Sequence, residues 1–269
     1  MYVLNYVDPI AFHLFSKPIY WYGIIISLTV LFCYLLAEWE AGKRGLPKDT
    51  MLDLLLRALP VAFIFARLYY VVFRWDYYST HPAEIIAIWD GGIAIYGGLI
   101  GAFIVVYFFA KSRNIKIIKI LDIVAPSLLL GQALGRWGNF FNHEAYGEAV
   151  EKSTLESKFF IPNFVIENMY INGEYHHPTF LYESLWCFIA LIILLAIRYK
   201  LHQSEVFCSY IILYGVERFI VEGMRTDSLY LGPLRISQVI SLVFVIGSLI
   251  YLIVLNTKYK DKKVLYINS

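Results

Sequence analysis

The chain has 269 residues, 59% of them apolar and 16% charged, with a net charge of +2 and a mean hydropathy of +0.60. A soluble domain carries about 25% charged residues, so these values exclude an ordinary soluble domain and point to a polytopic membrane protein. The near-neutral balance leaves no electrostatic footprint for nucleic acid, and 22 tyrosines, 19 phenylalanines and six tryptophans suit interfacial aromatic belts.

About 20 apolar residues cross the hydrocarbon core of a bilayer. That rule predicts seven spans, at roughly 18–38, 52–73, 93–110, 118–137, 179–200, 204–223 and 234–256. The expected fold class is an all-α polytopic membrane protein: a single integral membrane domain over 1–269, with seven transmembrane helices and a small extracytoplasmic cap. Asp8 and Pro9 precede the first span with only Lys17 beside it, so no cleaved signal peptide is expected. Tyr20 and Trp21 fit an aromatic belt at its entry. The second span carries Arg57 and Arg67, and Arg67, near Tyr69 and Tyr70, is a buried cation in need of a partner. Asp90-Gly91-Gly92 and Tyr96-Gly97-Gly98 form a glycine-rich entry to the third span, where helix packing alone accounts for Gly97 and Gly101.

Basic residues set the orientation. Lys43, Arg44 and Lys48 follow the first span, and Lys111, Arg113, Lys116 and Lys119 separate the third from the fourth. Arg198 and Lys200 close the fifth, while Lys258, Lys260, Lys262 and Lys263 fill the tail. All four clusters fall on one side if there are seven spans. The other side holds Arg74, Lys152, Lys158 and Arg225, diluted by Asp90, Glu148, Glu151, Glu167 and Asp227. The N-terminus is therefore expected outside and the C-terminus in the cytoplasm. The longest loop, about 143 to 177, becomes an external cap.

The fourth span ends in Gly135-Arg136-Trp137-Gly138-Asn139-Phe140-Phe141-Asn142-His143-Glu144-Ala145-Tyr146-Gly147. Polar groups are expensive in hydrocarbon, so this density marks a functional site, here a pocket for an anion lying within the lipid. Arg136 and Asn139 share a helix face, and a planar guanidinium fork suits a phosphate. A purely structural alternative has Arg136 pairing with Glu144 or another carboxylate. A second cluster sits in the sixth span, where Arg218, Glu222 and Arg225 make one charged stripe. It reads either as a self-satisfied ladder or as Arg218 joining Arg136 around one anion while Glu222 holds an arginine in place. His177, ahead of the fifth span beside Pro178, is a possible general base or a satisfied interfacial histidine.

Other chemistries lack support. Cys33, Cys187 and Cys208 lie in apolar runs and read as buried thiols, with no disulfide framework or metal spacing. His143-Glu144 lacks the second histidine of a zinc-protease helix. Neither a serine nucleophile elbow nor a phosphate-binding glycine loop is present. No metal and no cofactor are expected.

Taken together, these residues resemble the prolipoprotein diacylglyceryl transferases of bacterial membranes. The run from Gly135 to Gly147 is similar to that family's Gly-Arg-x-Gly-Asn-Phe-x-Asn-x-Glu-x-x-Gly signature at each fixed position. Collinear motifs agree: Trp21-Tyr22-Gly23, Ala66-Arg67-Leu68, Asp90-Gly91-Gly92, Tyr96-Gly97-Gly98-Leu99-Ile100-Gly101, His177-Pro178 with Leu181-Tyr182-Glu183, and Arg218-Phe219-Ile220-Val221-Glu222. The resemblance implies a seven-helix enzyme of the bacterial cell membrane. Such an enzyme moves diacylglycerol from phosphatidylglycerol to the lipobox cysteine in the signal peptide of a preprolipoprotein, forming a thioether and releasing glycerol phosphate. It also implies that Tyr22, Arg136, Asn139, Glu144, Gly147, Arg218 and Glu222 are important. Asn142, Arg67, Gly97 and Gly98 join them as expected substrate-binding positions, with Arg136 and Arg218 stabilising the leaving phosphate.

The chain departs from the family in two places. Tyr96 stands where many relatives place a histidine, so the proton acceptor is open between Tyr96, His177, His143 and Glu144. Phe180 replaces a common glutamine. The competing class is a membrane transporter or lipid-binding protein with an arginine-lined anion path, and it predicts inverted repeats that the sequence does not show.

Overall fold

A computed structural model describes residues 7–226, 228–259 and 263–269. Asp227, Lys260 and Lys262 lie outside the described residues, as does the side chain of Asp90.

In chain order the elements are β1 (Ile10–Leu14), β2 (Lys17–Tyr20), α1 (Trp21–Lys43), α2 (Thr50–Phe73), α3 (Trp75–Tyr78), α4 (Ile95–Ser112), α5 (Ile117–Phe141), α6 (Lys152–Ser157), α7 (Asn163–Asn168), β3 (Tyr170–Ile171), β4 (Glu174–Tyr175), α8 (Thr179–Ile197), α9 (Glu205–Glu222), β5 (Tyr230–Leu231), β6 (Leu234–Arg235) and α10 (Ile236–Lys258). The protein is mostly helical, and a long helix stands at each of the seven predicted segments. Five of them, α1, α4, α5, α8 with its extension to Lys200, and α10, are long and apolar enough to cross a membrane. The other two, α2 and α9, carry the buried charges discussed below. Three two-stranded hairpins, β1–β2, β3–β4 and β5–β6, add strand structure that the all-helical expectation did not include. Each has a two-residue turn. Asn172-Gly173 has positive φ at both residues (54° and 94°), the chemistry a tight right-twisted hairpin requires.

By compactness the chain divides into two units, one of residues 1–36 with 124–269 and one of residues 37–123. The boundaries fall inside α1 and α5.

The smaller unit is built on α2 and α4. A Cβ at Gly97 would fall 2.3 Å from the Phe65 carbonyl oxygen, and one at Gly101 would fall 2.8 Å from the Phe65 Cβ. Glycine at these positions lets the two helix backbones approach, the small-residue packing expected where lipid supplies no hydrophobic drive. Glu38 closes the start of α2, its carboxylate accepting from the backbone N–H groups of Asp49 (2.6 Å) and Met51 (3.0 Å). The basic cluster after α1 is partly internal: Arg44 lies 4.0 Å from Asp122, both side chains fully buried. Arg44 also donates to the Lys119 carbonyl (3.1 Å), and Lys119 donates to the Arg44 carbonyl (2.8 Å).

In the larger unit, α5, α8 and α9 share an apolar core in which alanines alternate with leucines. Ala125, Leu129 and Ala133 meet Cys187, Ala190, Leu191 and Leu194, with Val206 and the fully buried Tyr266. Segment 143–177 is a folded piece around Leu155, Ile161, Val165, Ile166 and Met169. It is anchored on Phe140 and Phe180, whose ring centroids are 4.8 Å apart. Phe180 thus serves as a packing residue where the sequence departs from the family's glutamine.

Candidate active site

The helix α5 persists past Arg136 to Phe141, which places Arg136 and Asn139 on one face, Nη1 of the arginine donating to Oδ1 of the asparagine at 3.3 Å. The turn that ends α5 brings Glu144 back beneath it. The Glu144 backbone N–H donates to the Asn139 carbonyl (3.1 Å), and its carboxylate accepts from Nδ2 of Asn139 (2.8 Å) and of Asn142 (3.5 Å). Glu144 is therefore the partner of the two asparagines, not of Arg136. Bare backbone at Gly138 admits the Tyr22 ring, since a Cβ there would fall 2.9 Å from the ring's Cδ2. Tyr22 thereby lies within electrostatic reach of both Arg136 and Glu144.

The partner of Arg136 is Glu183, an acid of α8 whose side chain is 2% exposed. This carboxylate also faces Nη1 of Arg218 at 3.5 Å and Nη1 of Arg225 at 3.9 Å. Three guanidinium groups from three different segments thus converge on one buried acid. Arg218 is further held by Glu222 at 2.5 Å, the i, i+4 pairing expected from the sequence. The expected stripe is interrupted at its end. Because α9 stops at Glu222, Arg225 reaches Glu183 from the following turn rather than along the helix face. Arg235 closes that terminus by donating to the Glu222 carbonyl, a cation at the negative end of a helix dipole. The buried Arg218 Nη1 lies in ion-pair range of Glu183 but makes no hydrogen bond among the described residues, so a donor aimed into the cluster is left unmade.

Gly147 joins three segments. Its N–H donates to the His177 carbonyl at 2.9 Å, and it forms an antiparallel bridge with Arg225. A Cβ there would fall 2.8 Å from the His177 Cβ and 3.1 Å from the Met224 carbonyl oxygen. Any larger residue would push the 143–177 segment away from the turn that carries Arg225. His177 Nδ1 lies 3.1 Å from the Tyr182 hydroxyl. Burial holds His177 below the ordinary imidazole range, against the opposing influence of Glu148, so it is neutral at neutral pH. His143 is likewise lowered by burial; its Nε2 is 3.4 Å from Oδ1 of Asn168, and it sits at positive φ.

The other expected residues belong to the smaller unit. Arg67 is buried and donates to backbone carbonyls, Nε to Ile85 (2.8 Å), Nη1 to Gly91 (2.6 Å) and Gly92 (2.7 Å), and Nη2 to Glu84 (2.6 Å), while its guanidinium also lies over the Tyr78 ring, 5.2 Å from the centroid. Its partner is the loop ahead of α4. Gly97 packs against α2, Gly98 lies 3.6 Å (as a Cβ) from the Ala62 carbonyl, and Tyr96 is half-buried in the first turn of α4.

Sequence reading missed Glu183 as a member of the site. The one available signal was a carboxylate inside an otherwise apolar helix, masked by its place in a helix-start motif. Glu217, which opens the charged run of the sixth span in the sequence, and Tyr214, both on α9, also lie within electrostatic reach of Arg136 and Glu183.

Fold and geometry together give a mostly helical protein, with five helices long and apolar enough to cross a membrane and three arginines gathered on one buried carboxylate. The prolipoprotein diacylglyceryl transferase family model matches residues 9–254. Over 249 residues, 92% of each chain, the protein is 54% identical to the phosphatidylglycerol--prolipoprotein diacylglyceryl transferase of Bacillus cereus (strain G9842). It is 53% identical, over the same share of each chain, to the enzyme of that name from Bacillus anthracis (strain A0248). The chain belongs to the prolipoprotein diacylglyceryl transferase family.

Proposed function

We infer that this protein transfers the diacylglyceryl group of phosphatidylglycerol to the lipobox cysteine thiol of preprolipoproteins, in the bacterial cell membrane. The observation that carries this reading is the meeting of Arg136, Arg218 and Arg225 on one buried carboxylate, with a guanidinium N–H left unmade. A phosphodiester can take that donor and replace Glu183 as the partner of the arginines.

In the reaction, the substrate thiolate attacks the glycerol carbon that bears the phosphate. The S–C bond forms as the C–O bond breaks, and its electron pair leaves on the phosphate oxygen of glycerol phosphate. The thiol proton passes to an acceptor and on to the product or solvent. No enzyme nucleophile is needed. The protein's share is positioning and fixed positive charge where negative charge develops. Arg136 and Arg218 provide that charge, Glu222 holds Arg218, and Asn139, Asn142 and Glu144 shape the α5 terminus against Tyr22. Gly147 keeps the external segment docked. Tyr96 and His177 are the candidate acceptors; His177, neutral at neutral pH, is able to take a proton. In this reading Arg67, Gly97 and Gly98, on the smaller unit, remain proposed substrate-binding positions.

The same reading makes the 269 residues one integral membrane domain crossed by seven helices, α2 and α9 included. The N-terminus lies outside, the C-terminus in the cytoplasm, and segment 143–177 forms an extracytoplasmic cap. Phosphatidylglycerol, the signal peptides of preprolipoproteins and the bilayer are the partners.

The test is transfer itself. Purified protein given phosphatidylglycerol and a lipobox peptide yields diacylglyceryl-peptide, and omission of the lipid abolishes it. Absence of product with both substrates present rejects the assignment. Reporter fusions at each predicted loop check the orientation.

A further inference from the structure

The smaller unit holds a cavity of about 290 Å³, of which the mechanism above uses nothing but Arg67. Its wall comes from Arg67 and Tyr70 on α2, Tyr77 and Tyr78 on α3, and Glu84 in the segment that follows. Gly92, at φ 72°, closes one side, where a Cβ would fall 2.5 Å from Nη1 of Arg67 and 2.8 Å from the Tyr70 ring. The buried Tyr78 ring stands edge-on to those of Tyr70, with centroids 6.3 Å apart, and Tyr77, 5.2 Å apart. The Tyr77 hydroxyl donates to Oε2 of Glu84 at 2.7 Å. Those of Tyr70 and Tyr78 make no hydrogen bond among the described residues.

These groups narrow the ligand by chemistry. Ligand pockets start at about 300 Å³, so the cavity suits a small molecule. Among the described residues its lining has one aliphatic side chain, Ala87, which gives an acyl chain little to pack on. An anion is poorly served as well. Four of the five Arg67 N–H groups already point to carbonyls, and the Glu84 carboxylate opposes negative charge. A neutral molecule rich in hydroxyl groups fits. Tyr77 occupies one lone pair of Glu84, leaving both carboxylate oxygens able to accept from two adjacent hydroxyls, and phenol O–H groups donate back to their oxygens. The rings of the same tyrosines cover the carbon skeleton.

We propose that this cavity binds a glycerol unit through its vicinal diol, Glu84 accepting from the two hydroxyls and Tyr70 and Tyr78 donating to their oxygens. No bond of the ligand is made or broken there; these residues select the diol. For the source of the glycerol the inference rests on the transferase reading, in which phosphatidylglycerol and the released glycerol phosphate both end in a vicinal diol.

The experiment uses two matched pairs of probes, each pair differing only in the diol: phosphatidylglycerol against phosphatidylpropanol, and glycerol 1-phosphate against propyl phosphate. Calorimetry on the full chain in detergent micelles measures binding without turnover. Wild type binds the diol member more tightly in at least one pair. Tyr78→Phe keeps the ring, removes the hydroxyl and narrows that preference by about three- to tenfold, as expected for one neutral hydrogen bond. Glu84→Gln keeps an acceptor for Tyr77 and narrows it by roughly tenfold or more, because a charged acceptor is lost. Tyr70→Phe takes its place should that variant fail to fold. A preference confined to the lipid pair makes the head group the source, and one confined to the phosphate pair makes the released product the source; either supports the cavity. Equal binding within both pairs by wild type, or a preference that these substitutions leave intact, overturns the inference. If wild type transfers the diacylglyceryl group but shows no diol preference, this inference fails and the transferase reading stands. If the preference depends on these residues and no transfer occurs, the reverse holds.

Discussion

Arg67, buried, and Arg136, partly buried, are both arginines within long apolar helices, and they are satisfied in opposite ways. Arg67 donates to four carbonyls fixed in the backbone between Glu84 and Gly92. Arg136 is paired with a carboxylate that it shares with Arg218 and Arg225. Carbonyls locked in a loop cannot step aside, so the Arg67 fork is a latch on chain geometry. A shared carboxylate is different, because an incoming phosphate offers the same charge and the same bidentate geometry and can exchange with it. A buried arginine therefore marks an anion site only when its partners are themselves exchangeable anions.

The most severe way to break this comparison is at the cluster. Arg136→Ala or Arg218→Ala lowers kcat by roughly 10²–10³-fold, the loss expected for one donor aimed at developing negative charge. Lysine at either position keeps the charge but loses the fork, and falls well short of wild type. Transfer rates on phosphatidylglycerol measure both, and full turnover by Arg136→Ala would remove the arginines from the chemistry.

Arg67→Ala should instead act on the fold. It leaves carbonyls that had a charged donor without one, at about 1–3 kcal/mol for each buried group left unpaired. The expected result is a lower apparent Tm in detergent, with kcat of the folded fraction maintained at permissive temperature. A loss of kcat with unchanged thermal stability would put Arg67 in the same class as Arg136.

The contrast also explains how far the sequence could be read. Seven apolar segments locate seven long helices because length and apolar composition are written directly in the chain, and five of those helices are long and apolar enough to cross a membrane. The Arg218–Glu222 pair was legible for a similar reason: both residues lie one helical turn apart. Glu183 was not, because its three partners come from α5, α9 and the turn after it, and no local spacing encodes that meeting. The Arg67 latch was half legible. The need for a partner follows from burial, but backbone carbonyls leave no trace in residue type. The β3–β4 hairpin, by contrast, was within reach, since Asn172-Gly173 is a strong turn signal, set between Tyr170-Ile171 and Glu174-Tyr175.

Smaller effects sharpen the comparison by testing what holds each arginine in register. At Gly147 an added methyl group meets His177 Cβ at 2.8 Å and the Met224 carbonyl at 3.1 Å, and the carbonyl is backbone that cannot rotate away. Gly147→Ala is expected to cost about 1–3 kcal/mol as overpacking. The loss falls on docking of segment 143–177, so limited proteolysis should cut that segment faster while the remaining helices stay protected. Equal protease resistance in the variant and wild type would show that Gly147 does not hold the segment down.

The smallest expected effect is an acid sensitivity of the same segment. His177 and His143 are both lowered from the ordinary histidine value by burial, so the unfolded chain binds their protons more readily than the folded one does. Stability rises with pH wherever the unfolded state holds more protons. The contribution of these histidines is therefore complete above the unfolded value, near pH 6.5, and is lost as the pH falls from there towards their depressed folded values. Both rings are partly exposed, which keeps the effect small, and its sign is the informative part. Protease protection of segment 143–177 should weaken below about pH 6.5, while the arginine cluster, whose guanidinium groups stay charged throughout, should hold. His177→Asn, which removes one of the two titrations, should flatten the acid limb. An unchanged acid limb in that variant, measured beside His143→Asn, would move the sensitivity to other groups and leave His177 free for its role as proton acceptor.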